Sequence, residues 1–239
     1  MANFGLGNLA GANLTKVLLY SAFTSTVNSS ITPSGTIQNF TADSTPNSYI
    51  ADNVAPTKQR RFSAFTTTLK VSWVHSTGSA QGITIGANDT NSFYDNAAAD
   101  KIHYHSGFTS TITSSTVFTG KSHWDISHDG TNILGVELVN LRYTRYSAFT
   151  STVKSSFSLS AIVTPRGGTW DGTNNIVSDG SAPTQSYKRY SAFTTTIKSS
   201  FATAGVQHGS EWDRTTDRFP AAGGGAVVLY PTLLLMNAG

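Results

Sequence analysis

Short apolar stretches alternate with runs of Ser, Thr, Asn and Gly along the chain. The segment Lys188-Arg-Tyr-Ser-Ala-Phe-Thr-Thr-Thr-Ile197 is rich in β-branched and aromatic residues, which favour strands. Asp-Gly-Thr-Asn between two apolar stretches predicts a hairpin turn, because Gly accepts positive φ without steric cost. The most apolar stretch, Ala226 to Met236, contains Pro231 and is too short to span a bilayer. It predicts a buried strand.

These segments recur. Ser21-Ala-Phe-Thr-Ser-Thr-Val27 returns as Ser63-Ala-Phe-Thr-Thr-Thr-Leu69, Ser106-Gly-Phe-Thr-Ser-Thr-Ile112, Ser147-Ala-Phe-Thr-Ser-Thr-Val153 and Ser191-Ala-Phe-Thr-Thr-Thr-Ile197. The central residues Phe23, Phe65, Phe108, Phe149 and Phe193 follow one another at 42, 43, 41 and 44 residues. A second motif keeps step: Asn88-Asp-Thr-Asn91, His128-Asp-Gly-Thr-Asn132 and Trp170-Asp-Gly-Thr-Asn174. Fainter copies stand at Gly7-Asn8, Thr45-Pro-Asn47 and Trp212-Asp-Arg-Thr-Thr-Asp217. The repeated Phe should point inward and pack between neighbouring units, beside small Ser and Ala or Gly where sheets approach closely.

One unit reads as strand, Asp-Gly turn, strand, loop, strand, short turn, strand. A period of roughly 40–50 residues with four antiparallel strands per unit is that of a propeller blade. The two motifs in phase resemble β-propeller repeat proteins with degenerate Trp-Asp-Gly-Thr-Asn blades, of the kind seen in phage and environmental sequences. The Gly-His and Trp-Asp pattern of WD40 blades is absent. The fold expected is an all-β propeller forming a single domain over 1–239, with approximate units 1–35, 36–79, 80–121, 122–163, 164–205 and 206–239. The first unit lacks a clear first strand and the last lacks a clear final one. If the two complete each other, the ring has five blades. Six blades, or an open solenoid or strand exchange, are the alternatives.

Composition narrows the function. The 239 residues include no cysteine, which removes disulfides and thiolate metal sites. Only Glu137 and Glu211 are glutamates, so strong helix formers are scarce. Charged residues make up 12%, about half the usual globular share, and the net charge is +3. No cluster of Lys and Arg gives the footprint of a nucleic-acid binder. Met1 to Thr15 has neither a basic segment nor a long apolar run, so neither a signal peptide nor a transmembrane segment is expected.

The candidate chemistry is thin. Ser21, Ser63, Ser106, Ser147 and Ser191 occupy equivalent places, whereas catalysis needs one asymmetric constellation. His103 and His105 share a strand face with metal-binding spacing, near His123, Asp125 and His128. His105, however, falls where Tyr20, Tyr146 and Tyr190 stand in other units, so it reads as an aromatic substitute. Asp129, Asp171 and Asp213 are turn residues by motif. No catalytic set, no metal and no cofactor is assigned.

Arg61, Arg145 and Arg189 precede Phe62, Tyr146 and Tyr190, and strand alternation puts the two columns on opposite faces. If the aromatics pack inward, the arginines face outward as a repeated polar patch, or as edge charges against sheet pairing. In a glycan-binding reading, Tyr146, Tyr190, Trp170 and Trp212 stack on sugars while Asn132 and Asn174 bond their hydroxyls. The reading adopted is a non-catalytic structural and interaction protein. The resemblance implies a phage virion component, such as a decoration, tail or fibre-associated subunit, located in the virion or outside the cell. Its expected partners are other virion or assembly subunits within an oligomer, with no nucleic acid and no membrane. A lectin-like module with repeated shallow sites for surface glycan or receptor is the alternative.

Overall fold

A computed structural model describes residues 16–20, 27–31, 37–42, 48–52, 58–63, 67–74, 80–85, 92–96, 101–121, 123–137, 139–180, 186–202, 218–223 and 226–231. Side chains are described over 58–63, 67–74, 101–121, 123–137, 139–180, 186–200 and 202. All regular elements among these residues are strands. They are β1 (Lys16–Tyr20), β2 (Val27–Ile31), β3 (Ile37–Ala42), β4 (Ser48–Asp52), β5 (Lys58–Phe62), β6 (Leu69–Val74) and β7 (Ala80–Ile85). There follow β8 (Ser92–Asn96), β9 (Lys101–His105), β10 (Ile112–Val117), β11 (His123–His128), β12 (Ile133–Glu137), β13 (Arg142–Tyr146) and β14 (Val153–Ser158). The last are β15 (Pro165–Trp170), β16 (Asn174–Asp179), β17 (Ser186–Ser191), β18 (Ile197–Ala202), β19 (Arg218–Gly223) and β20 (Ala226–Pro231). No helix among the described residues is long and apolar enough to cross a membrane.

The strands form five four-stranded sheets. Four are meanders continuous in sequence: sheet II (β3–β6), sheet III (β7–β10), sheet IV (β11–β14) and sheet V (β15–β18). Sheet I has the order β19-β20-β1-β2 and draws on both the first and the last described strands. Its centre is a parallel pairing of β1 with β20, Val17 opposite Val227 and Leu19 opposite Leu229. The apolar stretch beginning at Ala226 thus lies between two partners, β19 and β1. Every other pairing between the described strands is antiparallel, joined as in an up-and-down meander.

In such a meander the first turn and the third lie at the same end of the sheet. Both sequence motifs therefore sit together. Asp129-Gly-Thr-Asn132 joins β11 to β12 and Asp171-Gly-Thr-Asn174 leads from β15 into β16, with Gly130 and Gly172 at φ 99° and 92°. The Ser-Ala-Phe-Thr loops join the third strand to the fourth. In them the N–H of Ser63, Ser106, Ser147 and Ser191 donates to the carbonyl of Thr68, Thr111, Thr152 and Thr196. Thr109, Thr150 and Thr194 donate their hydroxyls to the preceding Ser carbonyl and accept the N–H two residues on. The recurring Ser and Thr residues close loops, and the position between Ser and Phe is left-handed in three of them: Gly107, Ala148 and Ala192.

Sheet IV is covered on both faces. Ile102, Phe118, Ile126, Ile133 and Tyr146 pack between sheets III and IV. Leu134, Val136, Tyr143, Phe157, Val177 and Tyr190 pack between IV and V. Among the described residues, the repeated phenylalanine is the wedge at three junctions. Phe108 of sheet III meets Trp73 of sheet II at 5.9 Å, and Phe149 of sheet IV meets Tyr104 of sheet III at 5.6 Å. Phe193 of sheet V meets Tyr143 and Phe157 of sheet IV at 5.9 and 6.0 Å. Each wedge reaches back to the preceding sheet. Gly168 permits the closest approach: a Cβ there would lie 2.3 Å from Tyr143 Cε2 and 2.6 Å from Val136 Cγ2.

Bulges recur at two places. On the outer strands the extra residue is Asn28, Lys70, Thr113, Lys154 or Lys198, beside the register shifts of β2, β6, β10, β14 and β18. A bulge carrying a charged residue spoils an open sheet edge as a template for pairing. On the inner strands the extra residue is Gln38, Gln81, Trp124 or Arg166. These inner strands, β3, β7, β11 and β15, lie next to one another in succession.

Candidate functional site

The motif turns form a closed polar unit. Asp171 Oδ1 accepts the N–H of Thr173 at 2.8 Å and of Asn174 at 2.5 Å, and its Oδ2 accepts Asn174 Nδ2 at 3.0 Å. The guanidinium of Arg189, two strands away, donates Nε and Nη2 to the same Oδ2 at 2.9 and 2.6 Å. Sheet IV repeats the arrangement. Asp129 Oδ1 accepts the N–H of Thr131 and Asn132 at 2.9 and 2.7 Å, and Arg145 Nη2 lies 2.5 Å from Asp129 Oδ2. Burial pushes the Asp129 carboxyl up, but the Asn132 and Thr131 donors and Arg145 more than offset it, leaving it below the ordinary range. Asn132 Oδ1 also accepts the Ala148 N–H, tying the first turn to the third.

This geometry corrects the sugar-stacking reading of Tyr146 and Tyr190. Tyr146 is 0% and Tyr190 1% exposed, so neither offers a ring face to a ligand. The same column holds Phe62 and His105, both buried. Asn132 and Asn174 are buried in their turns rather than free for sugar hydroxyls. Trp170 is half-buried against Phe193 at 5.8 Å. Trp212 and Asp213 lie outside the described residues, as do Ser21, the Tyr20 side chain and the motif copies at Gly7-Asn8, Thr45-Asn47 and Asn88-Asn91.

The arginine column is also corrected. Tyr146 and Arg145 do occupy opposite faces, but each face of sheet IV looks at another sheet. Arg145 lies over the Phe193 ring at 5.5 Å and pairs with Asp129, so it is half-buried at a junction. Arg189 is held by Asp171, and Arg61 is half-buried at the same place in sheet II. The physical reason is stacking: in a sheet with two neighbours the face opposite the core is another core.

A second polar group lies at the junction of sheets III and IV. Tyr146 Oη donates to Glu137 Oε1 at 2.9 Å, and His123 Nε2 lies 2.9 Å from the same phenol oxygen. Asn140 Nδ2 donates to Glu137 Oε2 at 3.0 Å, and Lys121 Nζ is 3.7 Å from Oε1. Burial pushes the His123 imidazole down to about 4, so it is neutral at pH 7. A neutral His123 then donates its Nε2–H to Tyr146. Burial raises the Glu137 carboxyl, and its donors with Lys121 bring it below the usual range. Gly135 leaves room for the ring, since a Cβ there would meet His123 Cδ2 at 2.5 Å. His123, Tyr146 and Glu137 are all buried, so this chain of bonds joins strands rather than facing a reactant.

His105 packs on Trp73 at 4.8 Å and on His103 at 6.4 Å. Burial holds the His105 imidazole down at about 4. Among the described residues no three His, Asp or Glu side chains are grouped to hold a metal ion. Asp125 is buried and accepts the Gly168 N–H at 2.9 Å, tying β11 to β15. The sequence reading passed over one pair, Trp124 and Arg166. Each stands five residues ahead of its motif Asp, which is the signal that would have matched them.

No family model matches the chain, and no curated protein matches it. Many solved structures resemble it, two of them as follows. One is a functionally unknown protein from Desulfotomaculum acetoxidans, with a TM-score of 0.53 at 13% identity over 92% of this chain and 73% of that one. The other is Raptor from Chaetomium thermophilum, with a TM-score of 0.50 at 10% identity over 81% of this chain. The match spans 18% of the Raptor chain. At such identities the likeness is one of fold alone.

Proposed function

We propose that the five sheets are the blades of a β-propeller, and that the chain is a non-catalytic structural and interaction protein. Its setting on this reading is a phage virion, as a decoration, tail or fibre-associated subunit, which rests on the resemblance of its Trp-Asp-Gly-Thr-Asn units. The blade arrangement is supported by the succession of inner strands and by the sheet that joins β20 to β1. A strand contributed by each end of a repeat array is one way to tie a ring together.

One observation carries the interaction reading. The first residue of the outer strand is apolar and exposed in each described case: Leu69 at 50%, Ile112 at 45%, Val153 at 46% and Ile197 at 40%. The recurring polar side chains of the motifs are meanwhile spent on one another. Aliphatic points that recur once per unit suit repeated contacts with protein subunits.

Light scattering over a concentration series, with negative-stain imaging, tests the proposal. A defined oligomer that dissociates when Leu69, Ile112, Val153 and Ile197 are changed to Ser supports it. A 25.4 kDa monomer at every concentration, found in no particle, overturns it.

A further inference from the structure

Four inner strands carry a bulge at their second residue, and the residues placed there are Gln38, Gln81, Trp124 and Arg166. A bulge re-aims one side chain out of the strand's alternation, and such bulges concentrate next to binding and active sites. The rest of the unit repeats its chemistry faithfully. This position does not: it holds two amides, an indole and a guanidinium. It lies at the end of the sheets away from the motif turns, because Trp124 and Arg166 begin strands that those turns terminate.

Trp124 and Arg166 meet across the junction of sheets IV and V. The Arg166 guanidinium carbon is 4.5 Å from the Trp124 ring centroid. Both side chains are half-buried, so part of the pair is reachable from solvent. The Arg166 stem is seated by Gly180, where a Cβ would come within 2.6 Å of Arg166 Cγ. Two donors at this spot, Trp124 Nε1–H and Arg166 Nε–H, are buried and have no acceptor. Among the described residues no carboxylate forms an ion pair with Arg166, in contrast to Arg145 and Arg189, which each have an Asp. A half-buried cation with adjacent unmet donors is complementary to an oxyanion, which supplies both charge and acceptors.

We propose that Trp124 and Arg166 form a binding site for an oxyanion-bearing ligand, a carboxylate or a phosphate, with Gln38 and Gln81 at the equivalent places on the neighbouring inner strands. The guanidinium accepts the anion by charge-assisted hydrogen bonds, and the indole face holds the guanidinium plane in position. The site does not depend on how the sheets close into a ring or on what the outer rim contacts.

The test is titration of the full chain with galacturonate and with inorganic phosphate, using galactose as the neutral control, followed by tryptophan fluorescence and calorimetry. Saturable binding of an anion, with galactose silent, is expected. Arg166→Met should weaken it by about tenfold or more, the loss of a charge-assisted hydrogen bond. Trp124→Phe should weaken it less, since the ring face remains and only the Nε1–H is gone. Arg142→Met, which removes an exposed guanidinium elsewhere on the sheet, should leave binding unchanged. Preference for galacturonate assigns the site to an acidic saccharide, and preference for phosphate to a phosphorylated ligand. No saturation by either anion below roughly 10 mM overturns the proposal. So does equal loss in Arg166→Met and Arg142→Met, which is the mark of general surface charge. So does a lowered unfolding midpoint in Arg166→Met without loss of anion binding, which makes the pair a strap between sheets.

Discussion

Whether the recurring arginines are structural can be decided at Asp171 and Arg189. The Asp171 side chain is 1% exposed and that of Arg189 28%. Asp171→Ala removes the acceptor of two backbone N–H groups, of Asn174 Nδ2 and of the guanidinium. Breaking a fully buried pair costs about 3–5 kcal/mol, because the surviving charge is left without a partner. Arg189 is partly exposed and regains water, so the cost here should be about 2–3 kcal/mol. Arg189→Met keeps most of the stem's packing and leaves a carboxylate still bonded by its turn, so about 1–2 kcal/mol is expected. The double variant should be less damaged than the sum of the two, with a coupling of about 1–2 kcal/mol. Urea unfolding at pH 7, followed by tryptophan fluorescence, measures all three. Additive losses, or an Arg189→Met variant as stable as the parent, would refute the clamp and return Arg189 to the pool of side chains available to a partner.

Other consequences follow from the same packing. Phe193→Ala should destabilise by about 2–3 kcal/mol, below the range for a fully buried Phe because the ring is half-exposed, while Phe193→Leu should cost about 1 kcal/mol. Thermal and urea unfolding would read both. Gly168→Ala should cost at least about 2 kcal/mol, since the new methyl meets Tyr143 and Val136 in the core; a variant with unchanged urea midpoint would contradict the close approach of β15 to sheet IV. His123 sets a pH dependence. Its folded pKa is about 4 against an ordinary 6.5, so the unfolded chain binds the proton more readily between these values. Stability is therefore intact above pH 6.5 and falls as the pH drops toward 4, by about 2 kcal/mol between pH 7 and pH 5 from this residue. His123→Gln should flatten that slope in urea titrations at the two pH values, and an unchanged slope would show that His123 is not buried neutral.

Much of this molecule was legible in the chain because its repeats are in phase. The Asp-Gly turns, the wedge role of the repeated Phe and the aromatic column containing His105 all follow from local chemistry multiplied by a period. Turn type depends on one glycine, and an aromatic residue at a fixed place in every unit meets the same neighbours each time. The β-strand character of the chain, its antiparallel meanders and the strand at Ala226 needed nothing more. The tertiary structure decided which face looks where. Alternation separates Arg145 from Tyr146, and the meander of sheet IV brings Arg145 to Asp129, but only the stacking of sheet V on sheet IV turns the arginine side into a second core and lays Arg145 over Phe193. Tyr146 and Tyr190 were candidates for a ligand until each proved buried against the preceding sheet. The pairing of β1 with β20 joins residues far apart in sequence, which no local pattern specifies. Bulges are likewise invisible to alternation, since one extra residue on a strand is defined only by its partner's register. Trp124 and Arg166 became neighbours through that register and through the packing of β15 on β11.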